Sequence, residues 1–103
     1  MLNAKEIGKL QALLKHEDAR LPIIFNALSD PNRCNIFRSF LKRDRLCVSD
    51  ISKILGISMS LASQHLKILE ITKLLLRERE GRTIYFRPNL NDELVVSIIK
   101  AVQ

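Results

Sequence analysis

Six polar or ionisable side chains and a thioether fall within Ser58 to Lys67. Ser60, Ser63, Gln64 and Lys67 recur at the three- and four-residue spacing that places side chains on one face of a helix. Short hydroxyls and a carboxamide can reach base edges in a major groove, and a lysine can neutralise phosphate. Ser58 and Met59 stand at the head of the same stretch. His65 has two competing roles, a bond to phosphate or base and packing between helices. A second basic set, Arg77, Arg79 and Arg82, follows within twenty residues, and guanidinium groups suit phosphate oxygens.

Two helices and a hairpin are needed to hold these groups. Val48 to Ile71 reads as a helix-turn-helix around Gly56-Ile57-Ser58, with Ile51, Ile54 and Leu55 forming the apolar face of its first helix. Ser49 or Asp50 can cap that helix, Gly56 can supply the left-handed residue that ends it, and Ser58 can cap the next. Leu61, Ala62, Leu66 and Leu69 mark the buried side of the second helix, with Ile68 nearer the margin. Leu74 to Arg79 and Arg82 to Arg87 read as two strands around Glu80-Gly81. A basic hairpin directly after a helix-turn-helix is the winged-helix arrangement, whose second helix enters the major groove.

The chain has 103 residues, 47% of them hydrophobic, with three glycines and three prolines. This composition predicts a single folded domain over residues 1–103, mainly α with a small β-hairpin, with about five helices and a two-stranded wing. Seventeen Lys and Arg against eleven Asp and Glu give a net charge of +6, which favours a polyanionic partner. No apolar run approaches the length of a membrane span and the N-terminus has no signal-peptide core, so the expected location is cytoplasmic. Five aromatic residues, none of them Trp, do not build the stacking platforms of a single-strand binder.

The flanking segments are amphipathic. Ile7, Leu10, Leu13 and Leu14 share one side of a helix from Asn3 to about Glu17, and Pro22 begins a second piece ending at Leu28. Ile23, Ile24, Phe25 and Leu28 give that piece more apolar surface than one stripe requires. Asp30-Pro31 starts a third helix running to about Leu41. Leu46-Cys47-Val48 has the composition of a brief strand beside the hairpin. Asn91 or Asp92 starts a last helix, on which Leu94, Val95, Ile98, Ile99 and Val102 form a broad stripe. The N- and C-terminal helices are therefore expected to form a homodimer interface, against the simpler role of closing the monomer core.

Four segments in register resemble the ArsR family of winged-helix repressors. FNALSDPNRCNIF resembles the family's ALSDPTRLRIL helix start, LCVSDISKILGIS its LCVCELAEALGLS segment, SMSLASQHLKILE its SQSAVSRHLKVL recognition helix, and EREGRTIYFR its wing. The resemblance spans Phe25 to Arg87. It implies a dimeric, sequence-specific repressor of double-stranded DNA, often released by a metal or another inducer, with Ser60, Ser63, Gln64 and His65 at DNA-contacting positions. The alternative is a winged-helix protein-interaction module, which has no need of arginines on a hairpin beside a polar recognition face.

The chain departs from the family pattern at three places. Cys47-Val48-Ser49 replaces a Cys-Val-Cys pair, and the last helix has no histidine. Lys73 stands where glycine usually follows the recognition helix, which predicts a longer or differently ended helix. No cofactor or metal site is expected. The remaining donors, His16, Glu17 and Asp18 with Cys47, would have to converge across a dimer. Cys34 and Cys47 are weak candidates for a thiol switch, Cys34 as a core residue and Cys47 as a thiol near a helix start. No catalytic constellation is present, so no enzyme activity is expected. The residues do not specify an inducer.

Overall fold

The computed structural model describes residues 1–15 and 19–103. It contains α1 (Ala4–Lys15), α2 (Leu21–Ser29), α3 (Pro31–Ser39), β1 (Leu46–Cys47), α4 (Val48–Leu55), α5 (Met59–Ile71), β2 (Leu75–Glu80), β3 (Thr83–Pro88) and α6 (Glu93–Val102). The described residues thus form six helices and a three-stranded sheet, more than the expected five helices and two-stranded wing. The extra strand is β1, which pairs antiparallel with β3 through Leu46↔Phe86 and Cys47↔Tyr85 and makes β3 the central strand. Asp30, extended at φ −74° and ψ 128°, separates α2 from α3 and caps the latter, the break expected at Asp30-Pro31.

Local chemistry sets the helix starts. Asn3 Oδ1 accepts from Glu6 N–H at 2.8 Å, while Glu6 Oε1 accepts from Asn3 N–H at 3.3 Å. Asp30 accepts from Arg33 N–H at 3.0 Å with Pro31 at the first helical position, and that bond is the main reason its carboxyl lies below the ordinary range. Asp92 caps α6 through Leu94 N–H at 3.0 Å. It also pairs with Arg20 at 2.7 Å, the main cause of its lowered pKa, and so joins the start of α6 to the start of α2.

The start of α4 departs from expectation. Neither Ser49 nor Asp50 is its cap; Cys47 occupies that position, and Asp50, three residues on, reaches back to accept from Cys47 N–H at 3.0 Å and from its Sγ at 3.2 Å. An acid at this position satisfies the same orphan donors as a capping side chain would. Both bonds hold the Asp50 carboxyl below its ordinary pKa.

The core lies between the helices and the sheet. Ile24 of α2, Ile36 and Phe37 of α3, Ile51 of α4, Leu66 and Leu69 of α5, Leu75 of β2, Phe86 of β3 and Val95 of α6 belong to one buried cluster. α1 contributes nothing buried. Its Ile7, Leu10, Leu13 and Leu14 are 44–67% exposed, as are Ile23 and Phe25 of α2 at 56% and 60%. No helix among the described residues is long and apolar enough to cross a membrane.

The junction after α5 corrects the expectation drawn from Lys73. The helix ends at Ile71, and Lys73 adopts the left-handed conformation at φ 66°. Leu74 N–H bonds Leu69 O at 3.0 Å and Lys73 N–H bonds Glu70 O at 3.0 Å, the paired bonds of a Schellman ending. Asn89 then pins the turn, donating from Nδ2 to Lys73 O at 3.1 Å and from its backbone to Leu74 O at 3.0 Å. Tertiary anchoring therefore overrides the preference for glycine. A left-handed L-residue costs about 1–2 kcal/mol, while glycine adds unfolded-chain freedom worth about 0.4–1 kcal/mol. Lys73→Gly should raise the unfolding free energy by about 0.5–1 kcal/mol in urea melts; an unchanged or lower midpoint at constant slope would show that the turn stores no strain.

Candidate nucleic-acid interface

The turn before α5 is closed at several points. Gly56 takes φ 67° and ψ 35°, Ile57 N–H bonds Ser52 O at 3.1 Å, and Ser52 Oγ donates to Ile57 O at 2.6 Å. Ser58 Oγ then accepts from Leu61 N–H at 3.0 Å, which opens α5. Ala62, His65, Leu66 and Leu69 are the buried side of that helix. Met59, Ser60, Ser63, Gln64 and Lys67 are all exposed. Their side chains have no hydrogen-bond or ion-pair partner among the described residues, so their polar atoms are available to a ligand. At about 100° per residue, Ser60, Gln64, Lys67 and the exposed Ile71 stand opposite the buried stripe. Ser63 lies on the flank nearer the wing, lining a cleft of about 160 Å3 with Arg77, Ile84 and Phe86.

β2 and β3 are joined by Gly81-Arg82, with Glu80↔Thr83 as the closing pair. Gly81 has φ 62° and Arg82 is not in the positive-φ region, the pattern of a type II′ hairpin turn. Alternation along β2 sends Arg77 and Arg79 to the same side as buried Leu75, and Glu78 and Glu80 to the other. On the inner side Arg77 donates to both Glu70 oxygens, at 3.0 and 3.2 Å, with its guanidinium 5.5 Å from the Phe86 ring. Arg79 Nε donates to Gly81 O at 3.1 Å, and Arg82 is exposed at the turn. On the outer side Arg45 pairs with Glu80 and, at 3.4 Å, with Glu78, while lying 4.0 Å over the Tyr85 ring. The hydrogen bond to Glu80 is the main reason its pKa is raised. Arg87 holds Glu78 at 3.1 Å.

A polar helix face free of internal partners therefore stands beside a hairpin whose tip presents two arginines. The family model for bacterial regulatory proteins of the arsR family matches residues 30–74, the stretch that builds α3, α4 and α5. The arsenical resistance operon repressor of Bacillus subtilis is 34% identical over 91 residues, covering 88% of this chain and 80% of that protein. The chain belongs to the ArsR family of bacterial regulators.

Solved structures of family-like proteins share the architecture. The transcriptional repressor PagR of Bacillus anthracis superposes with a TM-score of 0.66 at 32% identity, over 77% of this chain and 87% of that one. The homodimeric winged helix-turn-helix DNA-binding domain of Mb0332 from Mycobacterium bovis, a possible ArsR-family regulator, gives 0.69 at 27% identity, over 90% and 80%.

Within this ArsR framework, one proposed reading residue is misplaced. His65 is 9% exposed, and its Nδ1 lies 4.0 Å from Asp30 Oδ2, too far for a hydrogen bond. It packs between α5 and the cap of α3 instead of joining the exposed face, because its position on the helix falls toward the buried stripe. Arg77 is also displaced in role, sitting mid-strand opposite Phe86 with its charge engaged by Glu70. Two contributors had not been singled out, Glu70 and Arg45. Neither carries a local signal, since their partners lie seven and more than thirty residues away.

The possible metal cluster of His16, Glu17 and Asp18 lies outside the described residues. Among those described, no three His, Cys, Asp or Glu side chains come together as a metal would need. Cys34 and Cys47 are free and half-buried. Truncating the packed imidazole, His65→Ala, should lower stability by about 1–3 kcal/mol while leaving the discrimination between a selected duplex and random DNA unchanged. Loss of discrimination with unchanged stability would return His65 to the reading face.

Proposed function

We propose that this chain is a homodimeric, sequence-specific DNA-binding transcriptional repressor that reads the major groove with Ser60, Gln64 and Lys67 and grips phosphate with Arg79 and Arg82. The observation that carries this reading is the exposed side of α5, whose polar groups have no internal partners, beside the cationic hairpin tip. Met59 and Ser63 flank that face and Ser58 opens it. Dimerisation rests on the uncovered apolar side of α1 and on Ile23 and Phe25. α6 is less available for this, since Val95 is wholly buried in its own chain and Leu94, Ile98 and Ile99 pack against the same core. Two recognition helices related by a two-fold axis would read half-sites about 10 bp apart or a multiple of that.

Duplexes retained from a random pool by the purified protein supply the test. Ser60→Ala and Gln64→Ala should each reduce discrimination by about 1–3 kcal/mol per lost base contact. Arg79→Ala and Arg82→Ala should weaken every duplex alike and reduce the salt slope by about 0.9 each. A Gln64 variant as selective as its parent would remove α5 from base reading.

We further infer that soft metals do not control release. Ser49 offers a hydroxyl where the family pattern has a second thiolate, and α6 contains no imidazole. Zinc titrated into the reduced protein on a fluorescent duplex should leave anisotropy unchanged at submicromolar free metal. Stoichiometric, chelator-reversible dissociation would reveal a site, with Cys47 and His16 its first suspects.

A further inference from the structure

We propose that Arg77 is a positioning residue that braces the wing against the recognition helix through Glu70, so that an acidic side chain beside the reading face strengthens DNA binding. The inference rests on the reading of this chain as a DNA-binding repressor.

The three wing arginines differ in what holds them. Arg82 has no partner among the described residues, and Arg79 makes a single bond to a backbone carbonyl beside it. Arg77 is bound at both ends of a fork: Nε and one Nη reach the two Glu70 oxygens at 3.0 and 3.2 Å, and the plane lies near the Phe86 ring. A bidentate guanidinium–carboxylate pair fixes direction as well as distance, which a point charge cannot do. Its charge is also neutralised locally, which leaves little for a phosphate.

The pair spans two elements. Glu70 sits in the last turn of α5 on the flank that faces the wing, and Arg77 projects from mid-β2 across a cleft lined by Ser63 and Ile84. It therefore sets the separation between the element that enters a groove and the element that follows the backbone. Fixing that separation before binding reduces the ordering cost of engaging both at once. At 49% and 28% side-chain exposure the pair is well solvated, so it adds little to folding and its variants should remain folded. Its effect should appear in binding.

Simple electrostatics makes the opposite prediction. Glu70→Gln raises the net charge by one from +6, which by itself tightens DNA. Anisotropy over a salt series, on a duplex selected by the parent, separates the two. The brace predicts that Glu70→Gln and Arg77→Ala each weaken binding by about three- to tenfold, and that the double variant is no weaker than the weaker single. It predicts that Arg77→Lys behaves like Arg77→Ala, because the charge remains and the fork is lost. All four should keep the parent's salt slope, whereas Arg79→Ala lowers it. Tighter or unchanged binding by Glu70→Gln, parental affinity in Arg77→Lys, or a slope loss in Arg77→Ala equal to that of Arg79→Ala would each overturn the proposal. A parent with no salt-dependent affinity for any duplex would overturn the repressor reading itself, and the brace with it.

Discussion

Leu66 and Leu69 are wholly buried, and with Ala62 one turn earlier they attach the recognition helix to the domain along a single stripe. Removing each leucine from water contributes about 1.5–3 kcal/mol, more than any polar contact α5 makes. Because the attachment uses one arc of the helix, the opposite arc carries no structural duty. Ser60, Gln64 and Lys67 can therefore remain without internal partners. The same 3.6-residue period produces the attachment and the reading surface, and a change that rotates one rotates the other.

Orientation along the helix axis is set at its two ends by left-handed turns. Gly56 before α5 and Lys73 after it both lie near φ 66–67°. The first suits glycine on steric grounds alone. The second is held from outside, because Asn89 at the end of β3 binds the carbonyls of Lys73 and Leu74. The return of the sheet thus fixes the exit of the helix, and wing and recognition helix become one mechanical unit. Leu74 and Leu69, joined by the Schellman bond, are both 0% exposed, so the strained residue is flanked by buried anchors.

Most features governed by neighbours within four residues were legible in the sequence, the cap of α4 excepted, where Cys47 rather than Ser49 or Asp50 holds the position. Asp30, Ser58 and Asp92 each bond an N–H two or three residues on, and Gly56 meets a local steric demand. The apolar stripe of α5 was legible for the same reason, as was the exposure of Gln64 and Lys67. What was illegible depends on distant partners. His65 lies at the edge of the buried stripe, where a polar side chain can serve either packing or contact, and its place beside the cap of α3 makes it a packing residue. Lys73 tolerates its conformation only because Asn89 arrives from sixteen residues away. Arg77 reads as a free cation until Glu70 is placed beside it. The brief strand at Leu46-Cys47 was itself legible, but not that it pairs with β3 and so makes β3 the central strand.

The order Arg77-Glu78-Arg79-Glu80 carries no net charge, yet its two faces differ sharply. A strand's period of two puts both arginines on the side of the recognition helix and both glutamates on the other, where Arg45 and Arg87 neutralise them. A slip of one residue in pairing would invert this and turn the carboxylates toward the helix. The register is fixed by the two-residue turn at Gly81-Arg82, whose first position needs φ 62°, and by Phe86 entering the core opposite Arg77. Which charges face α5 therefore depends on turn geometry and on one buried aromatic ring, and not only on the wing's excess of arginine over glutamate.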